Sequence, residues 1–252
     1  MKLFKNTNYN RSLYDNTKSL TEIANLFETD KGNADSKSLS WSKDYPEHFS
    51  MSYTITYEKY MNNYREDHVK LFEIGICDKR FPYASQKMWL TFFKNVELYG
   101  MDNFWGNYLE DKTKDINFLN ELGVNFIYAD QGNFCDWNEI KEQCPNNFDF
   151  FIEDGSHWPN HMAVSLWQAK DLVKQNGYYF MEDIQNPKTS RGMFKYDNAL
   201  LCEDLINTQK TGIFKSHFLN NQQNLDINKS FELVELVLDP KSINYLAIFR
   251  KI

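Results

Sequence analysis

The chain has 252 residues, 42% hydrophobic and 16% aromatic, enough for one sizeable core plus an appendage. Its net charge of −7 argues against a general nucleic-acid or membrane-surface binder, both of which need a basic face. No apolar run approaches membrane-spanning length, the polar start Met1–Asn8 shows no signal peptide, and Cys77, Cys135, Cys144 and Cys202 lack metal-finger or CxxC spacing and read as reduced thiols of a cytoplasmic protein.

Residues 1–65 show no strand alternation. Ser19 to Phe27 has a capping Ser or Thr, an early Glu and apolar residues at helical spacing, and ends near Thr29-Asp30-Lys31-Gly32. A polar stretch, Asn33 to Lys43, reads as a loop, and Tyr53 to Tyr64 as a second helix. This part is expected to be a helical cap on a main domain spanning 66–252. From His68 onward short apolar runs alternate with amphipathic stretches. Strands are expected at Val69–Ile74, Val96–Met101, Val124–Tyr128, Phe148–Ile152 and Tyr178–Met181. Helices are expected at Ala84–Lys94, before Gly123, at Trp137–Gln143 and at Pro159–Gln175. Residues 185–230 read as a polar, irregular insert with one helix near Asn198–Asn207. Phe231 to Phe249 reads as two strands joined by a Pro-containing turn. The expected fold is α/β, a Rossmann-like, mostly parallel sheet with a C-terminal antiparallel hairpin and the N-terminal helical cap.

In open α/β sheets ligands bind outside the carboxyl ends of the strands. Two apolar runs end in carboxylates there: Phe148 to Glu153-Asp154-Gly155-Ser156-His157, and Gly177 to Glu182-Asp183-Ile184. Asp154, His157, Glu182 and Asp183 should therefore meet, and carboxylates held that close repel unless a cation sits among them. Gly75, just after the first strand, lets a ligand approach the backbone. The signature G-x-G-x-x-G is absent, because Cys77-Asp78-Lys79 follow, which disfavours a nicotinamide cofactor. Asp102 ends the second strand and can accept hydrogen bonds from a ribose diol, while Asp130-Gln131 ends the third and can reach a nucleobase. Acids at the ends of strands one, two and three together suggest S-adenosylmethionine.

The whole pattern resembles a class I S-adenosylmethionine-dependent methyltransferase, and more narrowly the metal-dependent macrocin and mycinamicin type of sugar O-methyltransferase. The residues that carry the resemblance are Thr29-Asp30-Lys31-Gly32, Tyr53-Thr54 with Tyr57-Glu58, Phe72-Glu73-Ile74-Gly75 and Tyr99-Gly100-Met101-Asp102. They continue with Asp130-Gln131, Glu153 to His157, and Glu182-Asp183-Ile184. The resemblance implies that Asp154, Glu182 and Asp183 ligate Mg2+ or Mn2+ and that His157 is the general base. It implies that Glu73, Asp102, Asp130 and the neighbouring Gly75, Gln131 and Glu153 contact the cofactor, and that Thr29, Asp30 and Lys31 close over its methionine end. The chain departs from that pattern at Cys77 to Arg80, where a glycine-rich stretch is usual, and at Glu153, where an Asp is usual.

Magnesium takes hard oxygen ligands, and a sugar with vicinal hydroxyls can complete its shell. An unperturbed imidazole is largely neutral at pH 7 and able to take a proton. His161 reads as a helix-surface or core histidine, and Trp158, Trp167, Tyr178, Tyr179 and Phe180 as core. The expected activity is metal-assisted methylation of a sugar hydroxyl, on a nucleotide sugar or a precursor of a surface or capsular polysaccharide. The expected partner is that small molecule, with no nucleic acid and no membrane; a homo-oligomer stays open. The rivals are a metal-independent small-molecule methyltransferase and a cofactor-binding module without catalysis.

Overall fold

The structure, a computed structural model, describes residues 2–4, 13–32, 53–76, 83–104, 112–187, 195–238 and 244–252. The polar stretch 33–43, the segment Cys77 to Arg80 and the turn of the C-terminal hairpin lie outside these residues. By contacts the chain divides into two compact units, residues 1–71 with 75–128, and residues 72–74 with 129–252.

In the first unit the strand order is β1 (Lys2–Phe4), β4 (Asn125–Tyr128), β3 (Asn95–Asp102), β2 (His68–Ile74), of which β2 is shared with the second unit. β3 and β4 run parallel, whereas β1 lies antiparallel on β4. A strand of three residues is too short to show alternation, so β1 is not legible in the sequence. α1 (Leu20–Leu26) starts at a capping box in which Ser19 and Glu22 satisfy each other's backbone amides, as the sequence indicates. α2 (Tyr53–Met61) follows, continued by a 3-10 turn over Asn62–Tyr64. α3 (Ala84–Phe92) and α4 (Lys112–Leu122) complete the unit. Gly123 ends α4 with φ 91°.

In the second unit the order is β2, β5 (Phe148–Glu153), β6 (Val173–Gln185), β8 (Asn244–Lys251), β7 (Phe231–Val237). β5 and β6 are parallel, and β6–β8 and β7–β8 are antiparallel. Every residue of β5 is buried, the mark of an interior strand covered on both faces. Its aromatics form a file across the strands: Phe72 stacks on Phe151 at 4.6 Å between centroids, and Phe151 on Tyr179 at 5.3 Å. Tyr179 and Phe180 are core as expected, whereas Trp158, Trp167 and Tyr178 are only half-buried.

Two boundaries differ from the sequence reading. α6 (Pro159–Ala169) stops six residues short of Gln175, and β6 starts at Val173, five residues before Tyr178. The polar Lys174-Gln175-Asn176 interrupts strand alternation, and the β5–β6 register slips there, between Phe148 and Phe150. The insert holds two helices rather than one, α7 (Lys195–Thr211) and α8 (Asn221–Ser230). α8 escaped notice because polar residues do its packing. Asn224 Oδ1 accepts from Ser216 N–H at 2.7 Å, and Asn228 exchanges hydrogen bonds with the backbone of Phe214 at 2.7 Å each way. Buried Asp204 accepts from His217, fixing the preceding loop. α5 (Phe134–Gln143) is capped by the Asn133 side chain and starts three residues before Trp137.

Candidate functional site

The second unit brings three of the sequence-derived residues together. One ligand atom each from Asp154, His157 and Asp183 lies within 4.8 Å of the others. Asp154 follows β5 directly, and its N–H donates to Ile74 O at 3.2 Å, which anchors it to the end of β2. Asp183 sits where β6 bulges against β8, between Met181 and Ile184. A bulge re-aims a side chain and terminates regular pairing, and it is a common device beside active sites. Both Asp183 (φ 53°) and His157 (φ 56°) adopt left-handed backbone. That conformation is strained for residues with a Cβ and persists only when the surroundings fix it.

His157 bridges the two carboxylates. Its Nε2 lies 3.2 Å from Asp154 Oδ1 and its Nδ1 3.3 Å from Asp183 Oδ2, and 34% of its side chain remains exposed. Burial lowers its pKa, but Asp183, then Asp154 and Glu153, outweigh burial and push it up to about 10. The expectation of an unperturbed imidazole is therefore corrected: between these carboxylates alone His157 carries a proton on both nitrogens at neutral pH. A divalent cation among the carboxylates would offset the field that holds the second proton. The donor set fits such a cation. Two hard carboxylates each place an oxygen within 4.8 Å of the other and remain partly open, 18% and 19% exposed. Glu182 is buried next to them and is not part of the three-residue cluster.

The residues assigned to the cofactor divide between the units. In the first, Gly75 has φ 81°, a conformation that favours glycine, and its N–H donates to Met101 O at 2.9 Å. Asp102 accepts from Phe104 N–H at 2.5 Å. Thr29 and Lys31 are buried in the turn after α1, with Asp30 exposed between them. In the second unit, Glu73 is fully buried. Asp130 caps the next turn, accepting from Gly132 N–H at 2.7 Å. Glu153 has no exposure, and burial pushes its pKa up to about 7. Its Oε1 accepts from Gln131 Nε2 at 2.9 Å, while Oε2 is buried with no hydrogen-bond partner.

Two contributors had no sequence signal. Asn244, 61 residues from Asp183, donates from Nδ2 to Asp183 Oδ1 at 2.6 Å. His161, read as a surface or core histidine, is half-buried and pairs through Nδ1 with Ser156 Oγ at 3.0 Å.

No family model matches the chain. It is 28% identical over 135 residues to mycinamicin VI 2''-O-methyltransferase of Micromonospora griseorubida, covering 52% of this chain and 31% of that protein. It is 29% identical over 135 residues to demethylmacrocin O-methyltransferase of Streptomyces fradiae, with the same coverage of 52% and 31%. A third relative, 27% identical over 137 residues, is the 8-demethyl-8-alpha-L-rhamnosyl tetracenomycin-C 2'-O-methyltransferase of Streptomyces olivaceus, at 53% and 33% coverage. Each alignment thus spans about half of this chain and about a third of the relative. Among solved structures, the MycE methyltransferase in complex with Mg, SAH and mycinamycin VI superposes with a TM-score of 0.63 at 22% identity, over 93% of this chain and 54% of that one. The chain therefore has the Rossmann-like fold of a class I methyltransferase.

Proposed function

We propose that this chain is an S-adenosylmethionine-dependent O-methyltransferase that uses a divalent cation, Mg2+ or Mn2+, to methylate a sugar hydroxyl. The convergence of Asp154, His157 and Asp183 within 4.8 Å carries the reading, and the class I fold supports it. Relatives named as O-methyltransferases, one of them acting on a rhamnosyl tetracenomycin, support the acceptor class. Within that class we propose a nucleotide sugar or a surface-polysaccharide precursor, in keeping with the richness in Asn and Lys that points away from a macrolide producer.

Asp154 and Asp183 would hold the cation through carboxylate oxygens, with Glu182 as the third proposed ligand, and the bound cation would supply Lewis acidity that makes the acceptor hydroxyl more acidic. Transfer of the methyl group from the sulfonium of S-adenosylmethionine to the hydroxyl oxygen breaks the S–CH3 bond, leaves S-adenosylhomocysteine and releases the hydroxyl proton. His157 Nε2 takes it, while Asp183 holds Nδ1–H and so fixes the ring and its tautomer. Glu73, Gly75, Asp102, Asp130 and Glu153 remain the proposed cofactor residues, with Thr29, Asp30 and Lys31 at the methionine end, and 185–230 the proposed acceptor segment of a domain running from residue 66.

The test is methyl transfer from labelled S-adenosylmethionine to a panel of nucleotide sugars, with Mg2+ or with excess EDTA. Turnover should vanish with EDTA and return when Mg2+ is restored, and Asp154→Asn should abolish it while leaving S-adenosylhomocysteine binding intact. Full turnover in EDTA would select the metal-independent alternative. Cofactor binding without turnover on any acceptor would select the non-catalytic one.

A further inference from the structure

Gln131 was expected to face the cofactor, but its amide is engaged inside the protein at both ends. Nε2 donates to Glu153 Oε1 at 2.9 Å and to Ser165 Oγ, on α6, at 3.2 Å. Oε1 accepts from Ser156 N–H at 2.7 Å. The side chain is buried, and its backbone carbonyl accepts from Trp137 Nε1 at 2.9 Å, which fixes the base of the residue as well. Gln131 thus joins the end of β5, α6, and the loop from Asp154 to His157.

The loop is built around this amide. A Cβ at Gly155 would stand 1.9 Å from Gln131 Oε1 and 2.8 Å from Ile74 Cγ2, so only glycine lets the backbone pass this close. Ser156 is gripped from two sides, by Gln131 at its N–H and by His161 Nδ1 at its Oγ. The next residue is His157, in strained left-handed backbone. Strain of that kind relaxes unless neighbouring contacts oppose it.

We infer that Gln131 is a positioning residue for the cation site: it clamps the Asp154–His157 loop in the one conformation that turns both side chains toward Asp183. This rests on the metal-site reading above and reassigns Gln131 from cofactor contact to loop clamp. Ligand-orienting residues outside the coordination sphere change metal affinity by roughly ten- to a hundredfold when removed.

The experiment uses the full chain with bound S-adenosylhomocysteine and titrates Mn2+ by electron paramagnetic resonance. Gln131→Met keeps the length and removes both ends of the amide. It should weaken Mn2+ roughly ten- to a hundredfold, leave S-adenosylhomocysteine affinity within about twofold, and speed hydrogen exchange at the Ser156 amide. Unchanged Mn2+ affinity and exchange in a folded Gln131→Met overturns the inference. So does a loss of S-adenosylhomocysteine affinity with Mn2+ binding kept, which would return the residue to the cofactor. If Gln131→Met does not fold, Gly155→Ala applies the same strain from the loop side, and normal Mn2+ affinity there overturns the clamp. Failure of the wild type to bind Mn2+ sinks the metal reading instead, and the Ser156 exchange comparison still decides the clamp.

Discussion

His157 and Glu153 are charged groups whose environments pull in the same direction on stability. Glu153 moves from 4.5 to about 7 because burial disfavours its carboxylate. A raised pKa means that the folded state binds the proton more tightly, so this stabilisation is complete below about pH 4.5 and is lost as pH rises through 7. Gln131, Tyr179, Asp154 and His157 are the polar groups around it. His157, raised from 6.5 to about 10, loses its contribution over the next interval, from about pH 6.5 to beyond 10. Thermal melts of the metal-free chain should therefore show Tm falling from pH 5 to pH 9. Glu153→Gln should flatten the part below pH 7, and an unchanged slope in that variant would remove Glu153 from the account. Catalysis isolates the second group. His157→Ala should lower kcat by roughly a hundred- to ten-thousand-fold with S-adenosylhomocysteine affinity nearly intact. Wild-type kcat in that variant would mean that the bound cation alone activates the hydroxyl. These residues were legible in sequence because Asp-Gly-Ser-His follows a mostly apolar run that ends in Glu153. The field around His157 was not, since the foremost of the groups that raise its pKa is Asp183, on another strand.

At the scale of elements, the proposed cation site depends on a β6–β8 ladder that breaks register at Asp183 and is closed by Asn244. Asn244 holds one carboxylate oxygen and leaves the other facing His157. Asn244→Ala should raise the Mn2+ dissociation constant roughly ten- to a hundredfold with the fold retained. A titration that superposes on the wild type would show that the contact does not aim Asp183 at the cation. The sequence announced the strands well where apolar residues dominate a short run, as in β2, β3 and β5. It was silent where polar side chains do structural work. Asn224 and Asn228 anchor α8 through hydrogen bonds rather than apolar packing, and the Lys174–Asn176 stretch hides the first third of β6. Asn244 belongs to the same class, because nothing local links it to a partner 61 residues away.

For the whole molecule, the strand–helix alternation and the antiparallel hairpin follow from hydrophobic periodicity, and the fold they imply is the one found. Among the described residues no helix is long and apolar enough to cross a membrane. A ligand that binds only the folded chain raises its Tm by mass action. S-adenosylhomocysteine at about a hundred times its dissociation constant should add roughly 2.7 kcal/mol to stability, visible as a shift of several degrees, and NAD should add none. A shift with NAD alone would reverse the cofactor assignment. The position of β6 has one more consequence. It is hydrogen-bonded to β5 on one side and β8 on the other, and Met181, just before the carboxylates, is paired on both flanks, with Glu153 and Ala247. If Glu182 and Asp183 are the proposed ligand pair, a pair fastened this way is inherited with the sheet itself. Under the proposed function, acceptor preference could then drift across descendants by exchange of whole segments between Gln185 and Phe231, without re-registering a single strand.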